Sequence, residues 1–377
     1  MTRIGADVTF SGGSCLLGAD PLAALDAVAE LGFEGILVRT ADEAFPGLDP
    51  GAIGAFAEAA GDRGMFVQLG LGKVNPYMTA ELPRVRDLGD GSYLAGMERL
   101  IRLCAEHGWT EAWTATGGFK NHPGLLAFDR FRTDADWADQ LAATRDFLLL
   151  LAPALREYGV RLNIETHEEI TTFEILRLID EVGPDVLGVC LDPANLPVRG
   201  ELAGPAVARV APHTHMTHLR DVLLAEAGEG ISRFLMPIGR GMTDWPRLLD
   251  TLLTARPEID LVIEGIGGSR AEMPLLPDDP RWWPAHPDMT AADLAELRAL
   301  AVRHAADAAA GLRPGLDELR RSGPAGPGLR AFLTESLAEL RALLALRTPP
   351  PTGRPTGQPA SQLASQGEAS TCTHPTT

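Results

Sequence analysis

Four residues that can bind a metal ion or transfer a proton each follow a different short apolar run of the chain. They are Glu165 in LNIETH, Asp192 in GVCLDPAN, His218 in HMTHLRDV and Glu264 in LVIEG. Carboxylates and imidazoles are metal ligands and general acids or bases. If the apolar runs are neighbouring parallel strands, their ends meet at one edge of a sheet. Three carboxylates would repel one another there unless a cation lies between them.

The segments that carry these residues belong to a regular alternation of β-rich runs and amphipathic helical stretches. Helix starts of the type Asp-Pro stand at Asp20 and Asp49, where the aspartate can cap the helix that the proline begins. The β-rich runs are IGADVTF, GILVRTAD, MFVQLGLG, EAWTATGG, VRLNIETH, VLGVCLDPAN, HTHMTHLRDV and DLVIEGIGG. This pattern predicts an α/β protein with a (β/α)₈ TIM barrel, whose active site lies at the carboxyl ends of the strands.

The composition along the chain predicts three parts. We expect the barrel over residues 1–275, a loop and helical extension over 276–347, and a disordered tail over 348–377, where Pro, Ser, Thr and Gln predominate. Two stretches of the extension repeat Leu and Ala at helical spacing. Each therefore has an apolar face to bury, either against the barrel or in a subunit interface, so a homo-oligomer is possible.

The net charge and the spacing of the cysteines indicate which binding partners and which cellular compartment to expect. The net charge is −18, which argues against a nucleic-acid partner because phosphates attract Lys and Arg. The 4 cysteines show no CxxC spacing and indicate reduced thiols. The apolar run FLLLLAP is too short to span a bilayer, and the start lacks the pattern of a signal peptide. We expect a cytoplasmic protein without a membrane partner.

The donor set predicts which metal the mouth of the barrel binds. One imidazole and three carboxylates make a hard, oxygen-rich site. Such a site favours Mn²⁺ or Mg²⁺, with Co²⁺ or Zn²⁺ as possible substitutes.

Several stretches resemble the xylose isomerase-like barrel superfamily, which includes sugar phosphate isomerases and epimerases, ketose 3-epimerases, inosose dehydratases and endonuclease IV. The matching stretches are NIETH, LDPAN, HLRDV and PIGRGMTDWPRLLDTL followed by VIEG. The resemblance covers residues 1–270 and implies a metal-dependent enzyme. The metal ligands that it implies are Glu165, Asp192, His218 and Glu264.

Two positions depart from the family pattern. Asn195 stands where some ketose epimerases have a histidine, and Arg39 ends the second strand, a position that is often acidic in the family. These departures argue against the epimerase branch, and Arg39 indicates an acidic or phosphorylated substrate.

Five residues near the predicted mouth are candidates for substrate binding. His167 can hydrogen-bond a substrate hydroxyl or orient Glu165, although a plain loop histidine is equally consistent with the sequence. Arg220 can bind a substrate anion or form a structural ion pair. Arg39, at the end of the second strand, can also bind an acidic substrate group. Lys120 and His122 follow the fourth strand in a loop at the same mouth.

These residues predict an enzyme that acts on a small carbohydrate-type substrate through an enediolate. Glu165 and Glu264 would transfer the proton, and the product would be an isomer or an epimer of a sugar, sugar phosphate or keto-polyol. A lyase, either a dehydratase or a decarboxylase, would use the same intermediate. An endonuclease IV-like nuclease needs further histidines that MFVQLGLG lacks. A non-catalytic partner subunit is the remaining alternative.

Overall fold

A computed structural model describes residues 2–10, 20–78, 82–117, 135–228 and 230–347. Parallel strands alternate with helices along these residues, as the sequence predicts. The strands are β1 (Ile4–Val8), β2 (Gly35–Val38), β3 (Phe66–Gly70), β4 (Glu111–Thr114), β5 (Arg161–Glu165), β6 (Leu187–Leu191), β7 (Thr214–Thr217), β8 (Asp221–Ala227), β9 (Gly230–Met236), β10 (Leu261–Ile263) and β11 (Met273–Leu275).

Eight of the described strands form one parallel sheet that closes into a barrel. Its order is β10-β1-β2-β3-β4-β5-β6-β7. Leu219, just after β7, forms a parallel bridge to Ile263 of β10, and its N–H donates to the Val262 carbonyl at 2.8 Å. This bridge joins the two ends of the sheet, and the prediction of a (β/α)₈ barrel is confirmed.

The helices begin where the sequence places their caps. Asp20 accepts a hydrogen bond from the Leu22 N–H at 3.1 Å, and Asp49 accepts one from the Ala52 N–H at 2.7 Å. The described helices are α1 (Pro21–Glu30), α2 (Ala41–Ala44), α3 (Pro50–Asp62), α4 (Pro83–Leu88), α5 (Tyr93–Glu106), α6 (Trp137–Tyr158), α7 (Thr172–Val182), α8 (Ala203–Val210), α9 (Trp245–Ala255), α10 (Trp282–Ala285), α11 (Ala291–Ala309), α12 (Leu316–Leu319) and α13 (Ala325–Leu346).

A second, smaller sheet was not expected from the sequence. Strands β8 and β9 form an antiparallel hairpin, and β11 pairs with β9. One face of this sheet buries Leu224, Leu235 and Leu275 against Trp282 of α10 and Leu297 of α11. The sheet therefore connects the barrel segment after β7 to the C-terminal helices.

The last long helix packs on the barrel. Leu329, Leu333, Leu337 and Leu340 of α13 belong to the main hydrophobic core, so this apolar face is buried within the chain. Residues 348–377, where the sequence predicts a disordered tail, lie outside the described residues. Among the described helices, none has the length and apolar character that crossing a bilayer requires.

A polar network lies at the amino-terminal ends of the barrel strands, opposite the predicted active site. The His215 Nδ1 atom accepts hydrogen bonds from Arg161 at 2.8 Å and from Arg256 at 2.5 Å. Glu111 accepts from Arg161 at 2.9 Å and from Asn163 at 2.9 Å. Burial and the charges of the two arginines lower the pKa of His215 to about 3.

Because of this network, we expect the chain to lose stability in acid partly through His215. Its folded-state pKa lies below the ordinary value of about 6.5, so the unfolded chain binds the extra proton. The contribution is present above about pH 6.5 and is lost as the pH falls toward 3. Urea unfolding of His215→Gln should show a flatter decline between neutral pH and pH 4.5 than the wild type, with His107→Gln, at the C-terminus of α5, as control. Parallel declines would contradict the prediction.

Candidate active site

The four residues predicted as metal ligands all lie at the carboxyl ends of barrel strands. Glu165 is the last residue of β5, Asp192 follows β6, His218 follows β7 and Glu264 follows β10. These strands occupy one side of the barrel, because β5, β6 and β7 are neighbours and β10 meets the end of β7. All four side chains are buried, with Glu264 the most exposed at 6%.

Glu165, His218 and Glu264 come close enough to share one cation. One ligand atom from each lies within 4.8 Å of the other two. The His218 Nδ1 atom is 3.1 Å from Glu165 Oε1 and 3.6 Å from Glu264 Oε2. The His218 Nε2 atom is buried and has no hydrogen-bond partner in the described part of the chain. The Nδ1 atom and the two carboxylates beside it form a donor set that a divalent cation fits.

Asp192 is adjacent to this group but is held by other residues. Its Oδ2 atom accepts hydrogen bonds from Arg220 Nε at 3.0 Å and Asn195 Nδ2 at 2.8 Å, and its Oδ1 atom accepts from the Ala194 N–H at 2.9 Å. Burial raises the pKa of Asp192 to about 7, against the opposing charge of Arg220. The role of Asp192 as a fourth ligand therefore stays a prediction, since this carboxylate forms an ion pair with Arg220.

Two arginines contact Glu264, one at each carboxylate oxygen. Arg39, just after β2, donates to Glu264 Oε1 at 2.5 Å and also contacts the buried carboxylate of Asp7. Arg220 Nη2 lies 2.9 Å from Glu264 Oε2. Burial alone would raise the pKa of Glu264, but Arg220, Arg39 and His218 together hold it well below the ordinary value. Glu264 is thus kept as an anion by the residues around it.

Glu165 has a different set of partners. Its Oε2 atom accepts a hydrogen bond from the indole N–H of Trp113 at 3.0 Å. Burial would raise its pKa, but the charge and hydrogen bond of His218 and the charge of His167 lower the pKa below the ordinary value. Glu165 is therefore ionised without direct contact to an arginine among the described residues.

His167 and the two acids after it form a second buried group. The sequence suggests that Glu168 and Glu169 are loop or helix-start acids. Both are buried, with 5% and 1% of their surface exposed. The His167 Nε2 atom is 3.0 Å from Glu168 Oε2, and Nδ1 contacts Glu169. Thr116 donates to Glu169 at 2.7 Å. Both ring nitrogens of His167 thus face Glu168 and Glu169, and neither faces Glu165. The predicted contact of His167 with substrate stays a prediction.

Arg233 connects the small sheet to this group. It extends from β9 and donates to Glu168 Oε1 at 2.7 Å, in a fully buried position. Sequence reasoning missed Arg233, Trp113 and Asp7. Each of them lies inside a strand, and the chain offers no local signal that the side chain points toward the site. Lys120 and His122, which were predicted to bind substrate, lie outside the described residues.

The fold and these side chains define a TIM-barrel protein with a candidate metal centre at its carboxyl mouth. A family model described as the xylose isomerase-like TIM barrel matches residues 25–292, and the chain belongs to this family. This membership confirms the resemblance that the sequence motifs indicate.

Curated relatives match only part of the chain. The 3-oxo-isoapionate decarboxylase of Pectobacterium atrosepticum is 26% identical over 119 residues, which covers 31% of this chain and 43% of the relative. The Escherichia coli protein YihM is 24% identical over 122 residues, which covers 32% of this chain and 37% of the relative. The chain therefore spans less than half the length of either relative.

Solved structures with the same fold match most of the chain. A crystal structure of D-psicose 3-epimerase in the presence of D-fructose gives a TM-score of 0.53 at 18% identity, covering 82% of this chain and 99% of the other. The apo form of the 3-keto-D-glucoside 4-epimerase YcjR from E. coli gives 0.51 at 15% identity, covering 79% of this chain and 100% of the other. At these identities the similarity establishes the fold.

Proposed function

We propose that the chain is an isomerase or epimerase that transfers a proton next to the carbonyl group of a sugar or keto-polyol. The observation that carries this proposal is the placement of Glu165 and Glu264 beside one imidazole, with the three ligand atoms within 4.8 Å of one another. Epimerisation needs a group on each face of a carbon atom, one that removes the proton and one that returns it. The names of the epimerases that share the fold support the same reaction class.

The donor set fits Mn²⁺ or Mg²⁺, and Glu165, His218 and Glu264 would hold the ion. Asp192 would join them where its hydrogen bond to Arg220 is released. When bound, a divalent cation polarises a carbonyl oxygen and stabilises the negative charge that develops on it. The His218 Nδ1 atom, 3.1 Å from Glu165 Oε1 and 3.6 Å from Glu264 Oε2, supports this role.

Glu165 is the stronger base of the two glutamates. A carboxylate that contacts two guanidinium groups has a lower proton affinity than one that contacts an indole and an imidazole. Glu165 would therefore take the proton: the C–H bond breaks, its electron pair forms the C=C bond of an enediolate, and the carbonyl oxygen becomes negative. For the epimer, solvent water on the side of Glu264 supplies the returning proton through that carboxylate, and Glu165 gives its own proton to solvent. Return to the opposite face gives an epimer, and return to the adjacent carbon gives an isomer.

Two observations favour a decarboxylase as the second candidate. Arg39 and Arg220 place two guanidinium groups at the mouth, where a substrate carboxylate can replace Glu264 as their partner. A relative that matches part of the chain is named a decarboxylase of an oxo sugar acid. Loss of CO₂ from a 3-oxo acid breaks a C–C bond and leaves its electron pair in the same kind of enolate, which then takes up a proton. A dehydratase would instead expel a hydroxyl group as water.

We expect turnover of a ketose or an oxo sugar acid in the presence of Mn²⁺, and loss of turnover after dialysis against a chelator. Inversion at carbon without gas release indicates an epimerase, and release of CO₂ indicates the decarboxylase. Binding of Mn²⁺, followed by electron paramagnetic resonance, should weaken strongly in His218→Ala, because the variant lacks the imidazole ligand. Undiminished turnover after chelation would contradict the metal centre. Absence of both turnover and Mn²⁺ binding would favour a non-catalytic subunit.

A further inference from the structure

A tryptophan inside the barrel contacts two of the three residues of the candidate metal centre. Trp113 of β4 is 7% exposed, and its indole N–H donates to Glu165 Oε2 at 3.0 Å. Its ring centroid lies 5.8 Å from that of His218, with the planes inclined at 33°. The proposed function assigns no role to this residue.

The surroundings of Trp113 leave its N–H group few alternatives. The indole packs in an apolar cluster inside the barrel, beneath the site, formed by Leu37, Phe66, Ala115, Cys190, Met216 and Val262. A buried indole N–H that lacks an acceptor is costly, so the bond to Glu165 is strongly favoured. Gly70 of β3 is closely packed here, because a Cβ atom would lie 1.7 Å from the Arg39 carbonyl oxygen and 2.8 Å from Trp113 Cε3.

The two oxygens of Glu165 consequently have separate partners. Oε2 accepts from Trp113, and Oε1 lies 3.1 Å from His218 Nδ1. The same nitrogen lies 3.6 Å from Glu264 Oε2, so the orientation of the Glu165 carboxylate sets the spacing of the three candidate ligand atoms. Rotation of the carboxylate would break both contacts. The indole therefore fixes the orientation of the carboxylate and, through it, that of the imidazole.

We propose that Trp113 is a positioning residue that orients Glu165 and His218 through one indole hydrogen bond. This inference rests on the proposed function, because it assumes that Glu165 transfers the proton. The loss of a hydrogen bond to a charged group changes a rate or binding constant by about ten- to hundredfold. The effect should fall on kcat and on Mn²⁺ affinity. KM should change little, since Trp113 acts through Glu165 rather than on the substrate.

The test compares Trp113→Phe with Trp109→Phe in the full chain. Phenylalanine keeps an aromatic ring in the barrel and removes the N–H group. Trp109 is a buried tryptophan that packs against Phe56 and His107, so the same substitution there controls for the loss of an indole. We expect Trp113→Phe to lower kcat and Mn²⁺ affinity about ten- to hundredfold. Trp109→Phe should leave both unchanged.

Nuclear magnetic resonance of ¹⁵N-labelled indoles tests the contact without any substrate. The resonance that disappears in Trp113→Phe belongs to Trp113. In the wild type it should shift when Glu165 is replaced by Gln, because a neutral amide oxygen then replaces the charged acceptor. The Trp109 resonance should not move. A Trp113 resonance that is insensitive to Glu165→Gln would show that the hydrogen bond is absent and would overturn the proposal.

The outcomes separate this inference from the proposed function. If the wild type neither binds Mn²⁺ nor turns over any sugar, the proposed function fails, while the indole spectrum still tests the contact. If the wild type is active and Trp113→Phe matches Trp109→Phe in both kcat and Mn²⁺ affinity, the positioning role is overturned and the proposed function stands. Should Trp113→Phe prove poorly folded, Trp113→Tyr, which also lacks the indole N–H, assigns the resonance, and the shift caused by Glu165→Gln then decides.

Discussion

Glu165→Gln is expected to lower turnover by about 10²–10⁴-fold, the usual contribution of a general base. The amide has almost the shape of the carboxylate and still accepts the Trp113 N–H, so the fold should change little. It cannot take up a proton from carbon, and it is a poorer metal ligand. Thermal unfolding should be measured alongside kcat, because Glu165 is buried, with 3% of its surface exposed, and a substitution there can also change stability.

Exchange with deuterated water distinguishes the roles of the two glutamates. Glu165→Gln should stop exchange of the substrate C–H with solvent, because no base remains to remove the proton. Glu264→Gln should also lower turnover. It should still permit exchange as long as metal remains bound, since the abstracting base is intact. The opposite pattern would assign abstraction to Glu264 and contradict the order inferred from the arginine contacts.

Glu111→Gln provides the matched control for both variants. Glu111 begins β4 and belongs to the polar network with Arg161 and Asn163 at the opposite end of the barrel. The same substitution there should leave kcat unchanged. A fully active Glu165→Gln enzyme would exclude every form of the mechanism in which Glu165 removes or returns the proton, including the decarboxylase with reprotonation by Glu165.

Much of the fold and the positions of the site residues follow from local sequence. A strand that ends in LNIE or LVIE directs its last residue to the carboxyl mouth once the repeated strand-helix units specify a barrel. For this reason the placement of Glu165 and Glu264 on one rim needs only the strand pattern. His218 follows from the same argument, because HMTHLRD ends a strand of the same kind.

The partners of these residues could not be predicted in the same way. The pairing of Arg220 with Asp192, rather than with its neighbour Asp221, depends on how the fold brings together two residues 28 positions apart in the chain. The burial of Glu168 depends on Arg233, which reaches it from β9. That strand belongs to a hairpin absent from the predicted barrel pattern. Tertiary contacts of this kind leave no periodic signal in the sequence.

The motif PIGRGMTDW shows how a sequence signature can have a structural origin. Asp221, the first residue of β8, is fully buried, and its carboxylate binds the loop that the motif forms. Its donors are the Val222 N–H at 2.8 Å, the Gly239 N–H at 3.0 Å, the Gly241 N–H at 2.9 Å, the Thr243 N–H at 3.0 Å and the Trp245 indole N–H at 2.8 Å. Gly241 is required for this arrangement, because a Cβ atom there would lie 2.2 Å from Asp221 Oδ1.

Asp221→Asn should therefore destabilise the chain by at least about 3 kcal/mol, the cost of leaving several buried donors without a charged acceptor. The amide nitrogen of asparagine would face N–H groups that it cannot accept from, so the loop after β9 would have to move. The free energy of urea unfolding at neutral pH measures the effect. Glu226→Gln, on the exposed part of the same strand, should stay within about 0.5 kcal/mol of the wild type. Equal stability of the two variants would show that the loop is held by its apolar contacts, such as that of Trp245 with the core, rather than by the carboxylate.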